Sequence, residues 1–457
     1  MSAVAPARRE AYGILRAVNR GRADLPAAVA RARDRLSDPR DRALAAEIAA
    51  GTLRWMGALD AVIAAFARRG TPRFDPEVLE ILRLGAYQLL HLQRVPPSAV
   101  VSDAVELARA SGKRSAAGLV NAVLRRIDRE RDALPLPSRP ADPSDAKAAL
   151  DYLAITLSHP RWLAERWLAR VGFEAAEAWL RFNNGPAPLT LRANTLATTR
   201  DRLAHALAEA GIESEPSRLA PDGLRITHGN PLDTPLARSG AFVVQDEASQ
   251  LVGALVSAAP GERLLDACAA PGGKSLQMAA GAGPSGVVVA ADLRARRVAL
   301  LAATLRRAGA SRVRVVRADA EQPLPLRPVF DAVLLDAPCS GLGTIRRDPE
   351  IRWRRQASDL ARLAAVQRRM LEAAAAAVKP GGRLVYATCS SEPEENEEVV
   401  ASFLQDHPEY SEVPPAEAAP GTGLAAAVFD AAGHLRTWPF RHGLEAFFAA
   451  VLRRGAA

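Results

Sequence analysis

Cysteine is scarce in this chain: three of its 457 residues are cysteine, at Cys268, Cys339 and Cys389. Their odd number and wide spacing exclude the disulfide framework that small secreted domains use. No Cys-x-x-Cys pair or histidine cluster accompanies them, so the sequence predicts no metal site. Each of the three falls within a distinctive turn that contains Gly or Pro, and this placement needs a different explanation.

Long apolar runs are also missing. The uncharged stretches are rich in Ala and broken by Pro or Gly, so none has the length that a membrane span needs. The opening residues, MSAVAPARRE, lack the apolar core of a signal peptide. Because 49% of the residues are hydrophobic and 24% are charged, we expect a cytoplasmic protein with two or three packed domains and no membrane contact.

The net charge of +9 is confined to one part of the chain. Residues 1–140 hold 24 Lys and Arg against 15 Asp and Glu, whereas the remaining 36 bases and 36 acids cancel. All but one of these N-terminal bases are Arg, whose planar fork suits phosphates and guanine edges. A high-GC genome accounts for Arg in place of Lys but not for the localisation, so the pattern favours a polyanionic partner.

The first two parts of the chain differ in pattern. Residues 1–138 have apolar residues at helical spacing throughout, which predicts an all-α domain that carries the positive charge. A Pro- and Asp-rich linker follows, and residues 146–238 predict a small α+β module. Its tryptophans are interpreted as core rather than as base-stacking residues; they are Trp162, Trp167 and Trp179.

Residues 239–457 alternate short β-rich runs with helical stretches. This alternation predicts a doubly wound, mostly parallel, Rossmann-like sheet. A ligand should then lie at the carboxyl ends of the strands.

The motif LLDACAAPGGKS, residues 264–275, leads from a strand into a helix. Ala269 and Ala270 keep the turn thin, and Gly272-Gly273 let the backbone approach a ligand. The spacing is neither GxGxxG nor that of a phosphate-binding P-loop. An ordinary glycine turn is the alternative.

Two acids at the next strand ends weigh against that alternative. Asp292 follows the strand Val287–Ala291, where this fold holds ribose hydroxyls, and Asp319 follows the next strand and can bond an adenine amino group. Because no phosphate cradle accompanies them, the set fits S-adenosylmethionine better than a nucleotide. Solvated strand-end acids are the competing interpretation.

The two remaining strand ends carry Asp336-Ala-Pro-Cys339 and Cys389, and these thiols should face one cleft. A thiolate is a strong nucleophile when positive charge lies near it, and Lys274 is a candidate source. Carbon 5 of cytosine accepts a methyl group only after a nucleophile adds to carbon 6, which a cysteine can do. Asp336, if protonated, could assist at N3. For Cys268 a buried structural role is the stronger interpretation.

The motifs DACAAPGGK, DAPCSGLG, RRDPEIRW and ATCSSEPEEN resemble the Sun/Fmu family of RNA 5-methylcytosine methyltransferases. The resemblance implies that Cys389 is the nucleophile and that Cys339 serves product release. Asp336 keeps two candidate roles, toward the cofactor and toward the target base. The cofactor-binding residues that the resemblance implies are Cys268, Ala269, Ala270, Pro271, Gly272, Gly273, Lys274, Asp292, Asp319 and Asp336.

Outside the catalytic part, DRALAAEIAAGTLRW and GLVNAVLRRI resemble a NusB-like RNA-binding domain, and LSHPRWLAERW resembles the family's small RNA-binding module. One departure is Glu445-Ala446, where the family tends to have Asp-Gly, so the final strands are expected to differ locally. Five arginines after Cys339 could hold an RNA backbone or form a solvated helical face; they are Arg346, Arg347, Arg352, Arg354 and Arg355.

The resemblance implies a monomer that acts on 16S rRNA, free or partly assembled rather than in mature ribosomes, with no metal and no membrane. The alternatives are a tRNA methyltransferase with the same chemistry and a non-catalytic RNA-binding assembly factor.

Overall fold

The computed structural model describes residues 4–414, 417 and 423–456. Residues 1–3 and 457, the outer ends of the predicted N-terminal and catalytic ranges, lie outside the described residues, as do 415, 416 and 418–422. The chain forms two compact units, Met1–Pro186 with Ile345–Ala357 and Ala187–Thr344 with Ser358–Ala457. The polypeptide of the second unit therefore leaves it after Thr344 and returns at Ser358.

Apart from turns and irregular connections such as 134–140, the described residues of the first unit are helical. The helices are α1 (Pro6–Asn19), α2 (Leu25–Arg33), α3 (Pro39–Arg54), α4 (Met56–Ala67), α5 (Pro76–His91), α6 (Pro97–Ala110), α7 (Ala117–Arg129), α8 (Ala146–Asp151), a π-helix (Tyr152–Thr156), α9 (Arg161–Val171), α10 (Phe173–Asn184) and, within 345–357, α16 (Ile351–Arg354).

Asp24, Asp38 and Asp75 cap α2, α3 and α5, since each carboxylate accepts a first-turn backbone N–H at 2.8–2.9 Å. A proline follows each cap within two residues, where its missing N–H costs nothing.

The apolar faces of α1–α7 share one core, as the helical periodicity predicts. Trp167 of α9 and Trp179 of α10 are fully buried and stacked with ring centroids 4.0 Å apart, which confirms their predicted core role. Among the described residues no single helix is long and apolar enough to cross a membrane. Helices α3 and α4 would be long and apolar enough only if they are counted together, and the chain bends by 76° between them.

The second unit contains two sheets. The smaller is antiparallel, in the order β2-β3-β1-β4, with strands β1 (Thr190–Ala193), β2 (Glu213–Pro216), β3 (Gly223–His228) and β4 (Phe242–Val244). Helix α11 (Arg200–Glu209) covers it, and α12 (Pro235–Ser239) precedes β4. Within the segment predicted as one module, 146–238, the helices up to residue 184 thus belong to the first unit and the strands to the second.

The larger sheet has the order β10-β12-β9-β8-β5-β6-β7, with β11 paired to β12. Its strands are β5 (Arg263–Asp266), β6 (Val287–Asp292), β7 (Val313–Arg317), β8 (Phe330–Asp336), β9 (Val378–Thr388), β10 (Tyr410–Glu412), β11 (Leu435–Arg436) and β12 (Phe448–Arg454). The helices are α13 (Glu247–Leu255), α14 (Gly273–Ala282), α15 (Ala295–Arg307), α17 (Ser358–Ala375), α18 (Glu397–Asp406) and α19 (Pro439–His442).

Strands β5 to β9 are parallel to one another. Strand β12 pairs antiparallel with β9. Successive residues of β5 face opposite layers: Leu264 packs with α13 to α15, and Leu265 packs with α17 and α18. The predicted doubly wound, mostly parallel sheet is therefore confirmed. Its strand order reverses between β5 and β8, and a crevice is expected at the carboxyl ends there.

Candidate active site

The loop after β5 is the first part of the site. Gly272 has φ = 110°, and a Cβ there would lie 2.9 Å from Leu301 Cδ1, so this turn requires glycine. Asp266, at the end of β5, is fully buried and accepts the hydroxyl of Ser275 at 2.6 Å. Burial raises the pKa of Asp266 to about 6. The loop is thin and backbone-lined, as its small residues predict.

Asp292 lies at the end of β6 and is almost fully buried. Its carboxylate accepts the backbone N–H of Ala270 at 3.2 Å and Nε of Arg297 at 3.0 Å. Asp319 is half-buried and lies two residues after the end of β7. The last residue of β7, Arg317, pairs with Asp292 in the sheet. The parallel register therefore brings both acids to the edge that carries the β5 loop.

Lys274 and Asp336 form an ion pair. Nζ of Lys274 donates to Oδ2 of Asp336 at 2.6 Å, with the lysine side chain 11% exposed and the aspartate 27% exposed. The pair joins the start of α14 to the end of β8. The ammonium of Lys274 is thus held by a carboxylate, and its predicted action on a thiol stays a prediction.

Cys339 and Cys389 follow the neighbouring parallel strands β8 and β9, and their Sγ atoms lie 3.0 Å apart. The hydrogen bond with Cys389, together with burial, raises the pKa of Cys339 well above its ordinary value. At this separation either sulfur can donate a hydrogen bond to the other. The structure brings together the two thiols that stand 50 residues apart in the sequence.

Cys268 differs from this pair. Burial, and then the nearby carboxylates of Asp266, Asp336 and Asp292, raise the pKa of its thiol. A thiol that is kept protonated is a poor nucleophile. Its surroundings are consistent with the structural role that the sequence favoured.

The backbone packs closely around Cys389. Gly343 donates its N–H to the carbonyl of Cys389 at 3.0 Å, and its own carbonyl accepts the N–H of Ala446 at 3.0 Å. A Cβ on Gly343 would lie 1.9 Å from the carbonyl oxygen of Ala446. The Glu445-Ala446 segment, where the chain departs from the family pattern, therefore packs directly on the Gly343 turn, and Glu445 itself is buried.

The prediction that the arginines after Cys339 could contact RNA is wrong for Arg352. This side chain is fully buried in the first unit, and its guanidinium donates to the carbonyls of Arg54, Ser158 and Asn183 and to the side chain of Asn184. Helical periodicity could not reveal this, because the acceptors come from distant parts of the chain. Two of the other arginines also bond within the first unit: Arg346 with Pro186, and Arg354 with Val18 and Ala23.

Sequence reasoning missed two buried polar residues behind the thiols, Gln367 and Glu395. The only signals were the serine that follows each of Cys339 and Cys389 and the acid run in SSEPEEN. Both side chains form hydrogen bonds with the cysteine loops, the turns that carry Cys339 and Cys389.

Comparison with known proteins identifies the family. A NusB family model matches residues 5–129, a ferredoxin-like domain of RsmF/B-like methyltransferases matches 159–233, and the 16S rRNA methyltransferase RsmB/F model matches 254–453. The "Probable ribosomal RNA small subunit methyltransferase B" of Bacillus subtilis (strain 168) is 36% identical over 425 residues, which cover 92% of this chain and 92% of that protein. This chain belongs to the RsmB/F family of 16S rRNA methyltransferases.

Two further comparisons cover most of the chain. The "Ribosomal RNA small subunit methyltransferase B" of Pseudomonas syringae pv. tomato is 37% identical over 396 residues, 85% of this chain and 84% of that protein. The crystal structure of PH0851 matches with a TM-score of 0.81 and 28% identity, over 99% of this chain and 100% of that one. The predicted NusB-like domain, small α+β module and Rossmann-like methyltransferase domain are thus confirmed.

The methyltransferase depends on S-adenosylmethionine, whose sulfonium supplies an electrophilic methyl group. The residues present fit this cofactor: a thin, glycine-containing loop after β5 and a buried strand-end carboxylate, Asp292, that can accept ribose hydroxyls.

Replacing Asp292 by Asn is expected to weaken S-adenosylmethionine binding about 10- to 100-fold, because hydrogen bonds to a charged acceptor are replaced by weaker ones. Calorimetric titration of the full chain measures it. Asp201→Asn, on the exposed first turn of α11, is the matched control and should bind as the wild type does. Unchanged affinity in Asp292→Asn would show that this carboxylate does not contact the cofactor.

Hydrogen peroxide is expected to inactivate the methyltransferase reversibly. Peroxide accepts two electrons and two protons from the Cys339 and Cys389 thiols, an S–S bond forms, and two water molecules leave. From a separation of 3.0 Å, the sulfurs need to approach by only about 1 Å. Dithiothreitol should restore activity, and peptide mass spectrometry should find a cross-link between the two cysteines. Inactivation without that cross-link would contradict the prediction.

Proposed function

We propose that this methyltransferase places a methyl group on carbon 5 of a cytosine in 16S rRNA, with Cys389 as the nucleophile and Cys339 assisting release. The 3.0 Å separation of the two Sγ atoms carries the proposal. Two thiols held at the carboxyl end of a methyltransferase sheet suit a reaction in which one forms a covalent bond and the other assists its cleavage.

The proposed reaction forms and breaks one bond between Cys389 and the base. The Cys389 thiolate adds to carbon 6 of the cytosine, and the electron pair of the 5,6 double bond moves to carbon 5. Carbon 5 would then use this electron pair to take the methyl group that the sulfonium supplies, and the sulfur–methyl bond would break with its electron pair left on the sulfur. A base then removes the proton from carbon 5, the double bond re-forms, and the bond between carbon 6 and Cys389 Sγ breaks. The thiolate leaves with its electron pair.

The proposed order of the two cysteines is supported by the environment of Cys339. Its hydrogen bond with Cys389, together with burial, holds the pKa of Cys339 well above its ordinary value, which favours Cys339 as the partner that keeps its proton. Cys389 is then the sulfur that attacks in the proposed mechanism. After methylation the S–H of Cys339 can stabilise Cys389 as the leaving thiolate, so Cys339 acts in release without forming a bond to RNA.

Asp336 is the proposed contact to the target base as well as to the cofactor. Its carboxylate, bonded to the Lys274 ammonium, can accept a cytosine amino group, or, when protonated, donate to N3. Lys274 orients it. Together with the β5 loop from Cys268 to Gly273, Asp292 and Asp319, these residues form the proposed cofactor and base site.

The proposed substrate is 16S rRNA that is free or partly assembled, bound by a monomer. Cytosine addition requires access to the face of the ring, so the base must be unstacked or flipped. We propose three functional parts: a NusB-like RNA-binding domain (1–138), a small RNA-recognition module (146–238) and the catalytic domain (239–457). The excess positive charge of the first part supplies salt-dependent phosphate affinity.

The test is to trap the covalent adduct. Cys339→Ala, incubated with S-adenosylmethionine and a 16S rRNA transcript, should accumulate a protein–RNA adduct on a denaturing gel because the leaving thiolate loses its hydrogen-bond donor. The double variant Cys339→Ala/Cys389→Ala is the control and should form none. An adduct that persists in the double variant would overturn the assignment of Cys389.

Bisulfite sequencing tests the substrate. A strain that lacks this methyltransferase should lose one 5-methylcytosine from 16S rRNA, and the wild-type chain should restore it. An unchanged 16S pattern with a lost tRNA site would favour the tRNA alternative. Loss of neither would favour a non-catalytic assembly factor.

A further inference from the structure

A buried carboxylate, Glu395, connects the two cysteine loops. It lies shortly after β9 and is 0% exposed. Oε1 accepts the backbone N–H of Ser340 at 2.7 Å, and Oε2 accepts the hydroxyl of Ser390 at 2.5 Å. Ser340 and Ser390 directly follow Cys339 and Cys389, so one carboxylate holds the residue next to each thiol.

Neighbouring contacts make this connection rigid. Nε2 of Gln367 donates both to Oε1 of Glu395 and to the carbonyl of Pro338, each at 3.0 Å. The backbone is therefore held on both sides of Cys339. The two serine hydroxyls also lie 3.1 Å from each other. A displacement of the Glu395 carboxylate would shift both cysteine loops.

Glu395 also acts through its charge. Its hydrogen bonds come from three neutral donors, and its negative charge contributes to the raised pKa of Cys339, after the hydrogen bond with Cys389, burial and the charge of Cys389. A buried charge acts strongly at short range because little water screens it.

Other charged and titratable groups of the second unit lie around these residues. They are Cys389 and Tyr386 of the β9 region, Arg368 of α17, which acts on Tyr386, and the buried Glu392, whose backbone N–H donates to the hydroxyl of Ser390 at 3.1 Å.

We infer that Glu395 is a positioning residue for methyl transfer: it holds the residue next to each thiol and so sets the separation of the two thiols, which lets Cys339 stabilise the departing Cys389. The inference rests on the proposed roles of the two cysteines. It explains why a serine follows each cysteine and why a carboxylate is completely buried behind them.

Glu395→Gln removes the negative charge of this side chain but keeps its size and shape. The amide keeps an oxygen for Ser340 and Gln367, and the hydroxyl of Ser390 can turn to accept from the new NH₂ group. Loss of the negative charge should lower the pKa of Cys339, so its proton is lost at lower pH. The alkaline limb of the kcat–pH profile, measured with the full chain, S-adenosylmethionine and a 16S rRNA transcript, should move down by about one pH unit. Adduct should accumulate over the same pH range.

Glu398→Gln, the same change on the exposed first turn of α18, is the control and should leave the profile in place. Glu395→Ala removes both the charge and the hydrogen bonds, so it should lower the Tm. Glu395→Gln should have the Tm of the wild type, but the alkaline limb of its kcat–pH profile should still lie at lower pH. Ser390→Ala, which keeps the charge, should reduce kcat without moving the limb.

A wild-type pH profile in Glu395→Gln, with the adduct still trapped by Cys339→Ala, would overturn this inference alone. Failure of Cys339→Ala to form any adduct would overturn the proposed function and the inference together. If Glu395→Gln does not fold, a Ser390→Ala variant with wild-type kcat would overturn the positioning role.

Discussion

Replacing Cys389 by Ser is expected to lower the rate of methyl transfer to 16S rRNA by at least about 10,000-fold. A serine hydroxyl holds its proton far more tightly than a thiol does, so little of it is in the nucleophilic form. In the proposed mechanism the variant therefore lacks the nucleophile that adds to carbon 6. Single-turnover transfer of a radiolabelled methyl group measures the loss.

Cys339→Ser provides the comparison for this result. It keeps an O–H donor near Cys389, so it should form the adduct and release it slowly, whereas Cys389→Ser should form none. Unchanged Tm and S-adenosylmethionine affinity in both variants would show that the fold and the cofactor site are intact. Single-turnover transfer within tenfold of the wild type in Cys389→Ser would contradict its role as the nucleophile.

Replacing Arg352 by Met is expected to destabilise the first unit by about 4 kcal/mol or more. The guanidinium donates to four acceptors at 2.8–3.3 Å: the buried carbonyls of Arg54, Ser158 and Asn183, and the partly buried side chain of Asn184. Met fills much of the volume but donates no hydrogen bond, and each buried acceptor left without a donor costs about 1–3 kcal/mol.

The acceptors of Arg352 explain how a buried cation is tolerated. Arg54 ends α3, Asn183 and Asn184 end α10, and Ser158 follows the π-helix Tyr152–Thr156. Carbonyls at helix C-termini lack partners within the helix and carry partial negative charge. Three such ends therefore converge on one guanidinium, and α16 is fixed in the first unit.

Urea unfolding followed by hydrogen exchange in residues 1–186 measures the effect of Arg352→Met. Arg362→Met is the matched control, because its side chain is 62% exposed and pairs with Asp359 on the surface of α17. It should change the free energy of unfolding by no more than about 0.5 kcal/mol. A loss below 1 kcal/mol in Arg352→Met would contradict the interpretation, as it would show that packing replaces these hydrogen bonds.

The parallel sheet, and the closeness of the two thiols that follow its strands, could be predicted from the sequence. The sheet is indicated by local residue patterns, and the closeness of the thiols follows from the common direction of the strands. Runs of β-rich residues between helical stretches indicate parallel strands, and parallel strands end at the same edge. The residues that follow β8 and β9 must therefore be neighbours, and Cys339 and Cys389 lie 3.0 Å apart. The unequal roles of the two cysteines came from family resemblance, and they stay a prediction.

The sequence by itself determined the helical N-terminal part with its positive charge, the doubly wound sheet, and the strand ends at which the thiols and acids lie. Periodicity, capping residues and turn glycines act within a few residues, so they can be read along the chain. Only the tertiary structure decided what the buried charges contact: Lys274 pairs with Asp336, Arg352 lies among three helix ends, and Glu395 joins the two cysteine loops. A buried charge is stabilised by whichever donors or acceptors the fold brings to it, and these come from residues far apart in the sequence.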